Sequence, residues 1–321
     1  MALCYHYLRQ NKESDPFPRI LGTNIDEFQN HIKMLQKNYH VISLKDAVSI
    51  STGEEDVFNK ENTGVLLTFD DGLSDHYTAA KILSELDVSA TFFVPTCILD
   101  EQLPASPTII HYALAVFGIE RFLKEFRIIL VNHKLDSKLF DLKYSKSKDN
   151  SWETISRIKS TFKYKLGYFN SRKILLDIYK NLFSSEYKNM LSTIHLTESQ
   201  IREMLEMGHY VGTHTYSHIS VAATELNSDD FIKEIISPKN YLEQKFNTKV
   251  NSFSYPFGGK NDCLTSSELI KKTSEYNLAF TVEEILNTRN TSPYQLGRYQ
   301  INSSDTSFKL NSIIQNISKK N

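Results

Sequence analysis

Short, nearly continuous apolar runs alternate along this chain with stretches whose apolar positions recur every three or four residues. The first pattern predicts buried strands and the second amphipathic helices. Residues 3–7 and 39–42 are brief strand candidates, and Val65-Leu66-Leu67-Thr68-Phe69 is a stronger one. Further runs lie at 90–94, 209–213, 252–255, 278–282 and 295–301. Between them, Thr23 reads as the N-cap of a helix with Phe28, Ile32 and Leu35 on one face. Residues 44–50, 75–86, 229–246 and 266–275 carry helical spacing, and residues 52–63 read as a polar loop. Thr197-Glu198-Ser199-Gln200 has the form of a capping box opening a helix to Met207, with Gly208 at its end. Strand–helix–strand order points to parallel pairing through crossover helices, and there is no internal repeat. The count suggests an α/β fold: a complete or incomplete (β/α) barrel with chemistry at the C-terminal ends of its strands.

The alternation stops between residues 100 and 195. That stretch is rich in Lys, Phe, Tyr and Leu at helical spacing and reads as a helical insertion or cap within a single domain spanning 1–321. Residues 143–149 form a polar patch whose charges read as a solvated face. His111 and His133 have no partners at metal-ligand spacing and read as structural or surface groups.

Composition narrows the picture. With 321 residues, 40% of them hydrophobic, the chain can bury a sizeable core. The charge balance of 37 basic against 38 acidic residues gives no field that favours nucleic acid or an anionic membrane. Cys4, Cys97 and Cys263 are too few and too scattered for a disulfide framework and suit a reducing compartment. No run approaches a membrane span, and no charged, apolar leader precedes Cys4, so the expected location is cytoplasmic. No protein partner is implied.

Chemistry concentrates at two strand ends. The run 65–69 stops in Asp70-Asp71-Gly72, where adjacent carboxylates leaving a strand point in different directions. One could bind a metal while the other takes a proton. Alone, Asp-Asp-Gly reads as a polar turn. Its downstream partner is His214-Thr215-Tyr216-Ser217-His218, again directly after a strand. Histidines four apart on one helical turn share a side, so both imidazoles can reach a single ion. A carboxylate with two imidazoles suits Zn²⁺ with open positions, and other divalent ions accept the same donors.

Thr68–Gly72, His214–His218 and Tyr255-Pro256-Phe257-Gly258 resemble the first three motifs of the polysaccharide deacetylases, the NodB-homology domains of carbohydrate esterase family 4. Tyr5-His6 and Gly208–Gly212 also look like that family, and the resemblance covers about 2–98 and 197–301. It implies a distorted or incomplete (β/α) barrel of the NodB type with a helical insertion. It implies that Asp71, His214 and His218 hold a divalent metal ion, and that Asp70 is the general base for an attacking water. Tyr255, Pro256 and Phe257 would form the oxyanion and substrate-binding turn, with the Phe257 backbone N–H facing the developing oxyanion.

Two departures stand out. The arginine expected five residues before the third motif's proline is Asn251 here, and Arg298 at a later strand end is the candidate substitute, a surface arginine being the alternative. The late histidine that commonly serves as general acid is missing, since no histidine follows His218. His6 on the first strand matches the position seen in relatives that look circularly permuted, and would be the acid; a structural histidine near the rim is the alternative. Asp75 reads as a helix N-cap and His209 as structural. The expected function is metal-dependent removal of N-acetyl groups from a polysaccharide or glycan precursor. An O-deacetylase or deformylase, or a non-catalytic glycan-binding module, are the alternatives.

Overall fold

A computed structural model of the protein describes residues 1–10, 13–53, 63–136, 140, 151–263 and 266–319. Most of the loop expected at 52–63 and the polar patch at 143–149 lie outside these residues. Ten strands are present among them: β1 Ala2–Tyr5, β2 Leu8–Arg9, β3 Thr23–Asn24, β4 His40–Ile42 and β5 Gly64–Phe69 in the first part. β6 Thr91–Val94, β7 Tyr210–Thr213, β8 Ser252–Ser254, β9 Leu278–Phe280 and β10 Tyr299–Gln300 follow. Eight form one sheet in the order β10-β1-β5-β6-β7-β8-β9, with β4 also on β5, and every pairing is parallel. Parallel strands are covered on both faces, which is why they read as unbroken apolar runs rather than as alternation.

The sheet curls on itself. Phe280 of β9 bridges Leu296, and three residues later Tyr299 pairs with Leu3 of β1, so one short segment touches both ends of the sheet. This is a distorted (β/α) barrel, as expected. Its C-terminal rim gathers the residues that follow Phe69, Thr213, Ser254 and Phe280.

Between sheet and helices, the rings of Tyr5, Phe69 and Phe92 stack in succession at 5.1 and 4.7 Å. Helix Ile25–Asn38 seals one side with Phe28, His31, Ile32 and Leu35 at i, i+3, i+4 and i+7. Its N-cap is Asn24, whose side chain accepts from the Asp26 N–H; Thr23, the expected cap, is instead committed to the short β2–β3 pair. Helix Ser307–Lys319, not expected from the sequence, packs beside it through Leu310 and Ile314. The capping box at Thr197 and Gln200 forms as read. Asp75 does not cap its helix: Ser74 holds that position, and Asp75 faces Arg9 at 3.3 Å.

Residues 97–194 contain helices and no strand among those described. Helices Ser106–Asn132, Ser151–Ser160, Tyr168–Phe183 and Tyr187–Ile194 enclose a core of their own around Phe122, Phe126, Ile158, Phe162 and Ile178. That core meets the barrel through Tyr7, Ile20 and Leu73. The return from these helices is fastened to the Asp-Asp-Gly turn: Leu196 N–H donates to Gly72 O, and His195 Nδ1 lies 3.1 Å from the same oxygen. Among the described residues no helix is long and apolar enough to cross a membrane.

Candidate active site

β5 delivers Asp70 and Asp71 to the rim. The Asp70 N–H donates to Tyr5 O, prolonging the β1 ladder by one bond, and the chain then turns sharply through left-handed conformations at Asp71 (φ 80°) and Gly72 (φ 57°). A non-glycine residue there is strained, and the turn is what sends neighbouring carboxylates to different partners.

Asp70 faces an arginine. Arg298, fully buried, spends all five of its N–H donors: two on the Asp70 oxygens at 2.8 and 2.7 Å, and one each on Thr68 Oγ1, Ser254 Oγ and Thr281 O. Its guanidinium lies beside the adjoining rings of Phe93 and Phe280, 5.7 and 5.8 Å from their centroids. Ser254 Oγ and Cys4 Sγ also reach Asp70 Oδ2, leaving Oδ1 with Arg298 alone. Burial by itself would raise the Asp70 carboxyl; Arg298, with His214 and His6 nearby, overrides it and holds the group well below the usual carboxylate range. Asn251, in the place expected for arginine, has no such contact; its carbonyl oxygen accepts from Asn277 and Leu278.

Asp71 faces the histidines. Its Oδ1 lies 3.4 Å from His214 Nε2 and 3.0 Å from His218 Nε2, all three side chains being buried. The segment 214–218 is not the helical turn expected from the spacing. It is a loop with left-handed residues at Thr215 (φ 58°) and His218 (φ 64°), and those two residues bring the imidazoles together. His214 Nδ1 donates to Ser254 O at 2.8 Å, which leaves Nε2 as the lone-pair nitrogen facing Asp71.

These residues fit a divalent cation. Donors around one tetrahedral ion at 2.0–2.1 Å stand roughly 3.3 Å apart, close to the spacings found. Asp71 Oδ1 is buried and takes no properly aligned hydrogen bond, an orphan that a cation would satisfy. Cys4, His6 and Asp70 also bring donor atoms within 4.8 Å of one another, but the guanidinium on Asp70 already neutralises that group.

The sequence reading missed what holds the histidine loop. Glu234, fully buried on a π-turn (Ile232–Ile236), accepts from the Tyr216 and Ser217 N–H groups at 3.1 and 3.0 Å and from Ser217 Oγ at 2.8 Å. Tyr168 of the helical region donates to it as well. Only its burial beneath the loop identifies it, and nothing in the sequence signals that. Asp262 does similar work after His218, accepting from Ser220 Oγ and from Lys163 at 2.7 Å.

The third motif lies against the centre. Phe257 has left-handed backbone (φ 65°), and its ring meets His218 edge-on at 4.8 Å. Its N–H has no acceptor among the described residues. Tyr255 is buried, its N–H on Phe280 O and its hydroxyl on Tyr294 O, so its side chain anchors the turn from behind. His6 lines the same cavity beside Asp70 and is half-buried. His76 donates to the His6 carbonyl, and burial pushes His76 down to about 4. His209 is tied to Ala80 and Ala90 at the far end of its strand, and His133 pairs with Asp177.

Above the rim is a cavity of about 800 Å³. The barrel supplies its floor with His6, Asp70, Asp71 and His218, and the helical region supplies a wall that includes His111, Lys159 and Phe169.

Residues 140–275 match the family model described as polysaccharide deacetylase. The matched stretch holds the histidine loop and the Tyr255–Gly258 turn, and it begins inside the helical region. No curated protein sequence matches the chain. In fold the chain is similar to the deacetylase PplD of Streptococcus pyogenes, at 18% identity over 97% of this chain and 96% of that one (TM-score 0.59). It is similar to BC0361, a polysaccharide deacetylase of Bacillus cereus, at 18% identity over 98% and 68% of the two chains (TM-score 0.55). IcaB of Ammonifex degensii matches at 16% identity over 98% and 96% (TM-score 0.55). The resemblance to the polysaccharide deacetylases and the NodB-type barrel are both borne out.

Proposed function

We propose that this protein is a metal-dependent deacetylase that hydrolyses N-acetyl groups of amino sugars in a polysaccharide or its precursor. The observation that carries the reading is the pairing of two carboxylates with opposite environments on one rim. Asp71 is turned to two imidazoles and Asp70 to a buried guanidinium. Environments that separate two neighbouring acids are how one site divides metal binding from proton transfer. Binding alone would need no such division.

In this reading Asp71, His214 and His218 hold the ion, most simply Zn²⁺, which when bound polarises the acyl oxygen and lowers the pKa of water to about 7. Asp70, kept ionised by Arg298, takes the water's proton at Oδ1, the oxygen whose one partner is Arg298. The Phe257 N–H, on the turn formed with Tyr255 and Pro256, donates to the oxygen on which negative charge develops. His6 protonates the departing nitrogen, because an amide anion is too poor a leaving group to depart unprotonated.

The test is acetate release from N-acetylhexosamine glycans, measured with and without chelator, beside an Asp70→Asn control. Chelator-sensitive release that falls by about 10²–10⁴ in the control supports the reading. Release that persists in chelator sinks it. Ester and N-formyl substrates in the same panel separate an O-deacetylase or a deformylase from the amide hydrolase.

A further inference from the structure

The helix Ser151–Ser160 continues through a π-turn, Thr161–Lys165, along the wall of the cavity. One face is buried in the helical core through Thr154, Ile158 and Phe162. The opposite face carries Ser156, Lys159, Ser160 and Lys163 at i, i+3, i+4 and i+7, and all four line the cavity. The stripe is made of hydrogen-bond donors with no acid among them. Ordinarily it would be a solvated helix face. Lys163 fixes its direction otherwise, since its ammonium reaches Asp262 on the barrel at 2.7 Å and lies 3.9 Å over the Phe257 ring. The stripe therefore faces the catalytic rim.

Lys163 is thus committed, and Lys159, one turn earlier, is not: no carboxylate among the described residues pairs with it. Its side chain is exposed on the cavity wall, where partial desolvation lowers its pKa while the Asp71 carboxylate pulls the other way. Its charge also adds to the burial that pushes His111, on the same wall, down to about 3. The two acids on the cavity floor already have partners of their own, Arg298 for Asp70 and the imidazoles for Asp71. Glu225 also lines the cavity but forms no ion pair with Lys159 among the described residues, so a positive charge flanked by two hydroxyls stays unpaired on the wall.

We propose that Lys159, with Ser156 and Ser160, binds a phosphate group carried by the substrate, so that the amino sugar enters this site as a phosphate-linked sugar rather than as a neutral glycan. A compact ammonium beside hydroxyls suits a tetrahedral anion, whereas a planar carboxylate is better matched by the guanidinium fork. This deepens the deacetylase reading and rests on it for the identity of the sugar.

Binding distinguishes the two. Calorimetry on the zinc-supplemented full chain compares N-acetylglucosamine 1-phosphate with its neutral methyl glycoside and with an N-acetylhexosaminuronate, which carries a carboxylate instead. The wild type should bind the phosphate sugar about tenfold more tightly than the neutral one. Lys159→Gln should abolish that preference. Lys180→Gln, an exposed helix position away from the cavity, controls for general charge and should keep it. Equal affinities in the wild type, a preference that survives Lys159→Gln, the same preference for the uronate, or no binding of any of the sugars would each overturn the proposal. Because affinity and acetate release are read in separate assays, phosphate-selective binding with no acetate release would sink the deacetylase reading alone.

Discussion

Replacing Arg298 with methionine removes a cation that is fully buried and makes five hydrogen bonds, two of them to Asp70. Methionine fills similar length but leaves the Asp70 carboxylate desolvated with only Ser254 Oγ and the weak Cys4 thiol as donors. Breaking a buried ion pair from one side costs about 3–5 kcal/mol. The companion loss of donors to Thr68 and Thr281 overlaps with that figure rather than adding to it. Against a typical domain stability of roughly 5–15 kcal/mol, Arg298→Met should be folded but plainly weakened. Urea titration of the metal-free protein at pH 7 measures the loss. The double variant Arg298→Met/Asp70→Asn removes both charges of the pair and should recover about 2 kcal/mol of it. If Arg298→Met lies within about 1 kcal/mol of wild type, or if Asp70→Asn brings no relief, Arg298 is not the counter-ion of Asp70. Arg298→Lys, which keeps the charge but loses the fork, should fall between the two.

Glu234→Gln keeps the volume beneath the histidine loop but weakens the hydrogen bonds to the Tyr216 and Ser217 N–H groups. Metal affinity, read by chelator competition, should drop about 10–100-fold while the melting curve stays cooperative; unchanged affinity would mean that the loop holds itself. Gly258→Ala forces a side chain onto left-handed backbone (φ 64°) with its Cβ 2.8 Å from Val282, and should cost more than about 1 kcal/mol in urea. Asp15 gives a pH signature away from the site. Burial would raise its carboxyl, but the Arg9 guanidinium and the Phe17 N–H hold it below its ordinary value. A depressed carboxyl stabilises the fold above its unfolded pKa of about 3.9 and loses that contribution as pH falls through the folded value. The stability gap between wild type and Asp15→Asn should therefore be full at pH 6 and shrink below pH 4; a gap that widens on acidification would reverse the assignment.

Much of the fold is legible because parallel strands buried on both faces leave apolar runs, clearest in β5 and β6 and weaker in β8 (Ser252–Ser254) and β10 (Tyr299–Gln300), which carry polar residues. Helix ends are less so: Thr23 and Asn24 are both good caps, both pair in β3, and only the reach of the Asn24 side chain to the Asp26 N–H decides between them. The C-terminal helix was overlooked although Leu310, Ile313, Ile314 and Ile317 carry its spacing. At the site, two adjacent acids and two histidines four apart signalled the residues but not their conformation. The imidazoles converge through positive φ at Thr215 and His218, which a spacing argument cannot foresee. Arg298 was nominated only from the lack of an arginine near the third motif, and its reach to Asp70 depends on the segment that joins β9 to β1. Glu234 works from beneath with no neighbour in sequence to mark it, and Ser254, although next to the third motif, is a common residue type whose reach to Asp70 only the fold reveals. The role of the helical region as one wall of the cavity is likewise a matter of tertiary packing, since its motif-free sequence encloses a core of its own.

The pairing of Asp71 with both imidazoles is best tested by anomalous diffraction from crystals grown with zinc. One peak should lie about 2.0–2.2 Å from Asp71 Oδ1, His214 Nε2 and His218 Nε2, and disappear in Asp71→Asn. A peak that ignores these three atoms, or imidazoles turned away from Asp71 while zinc sits elsewhere, would contradict the metal centre and the hydrolysis built on it.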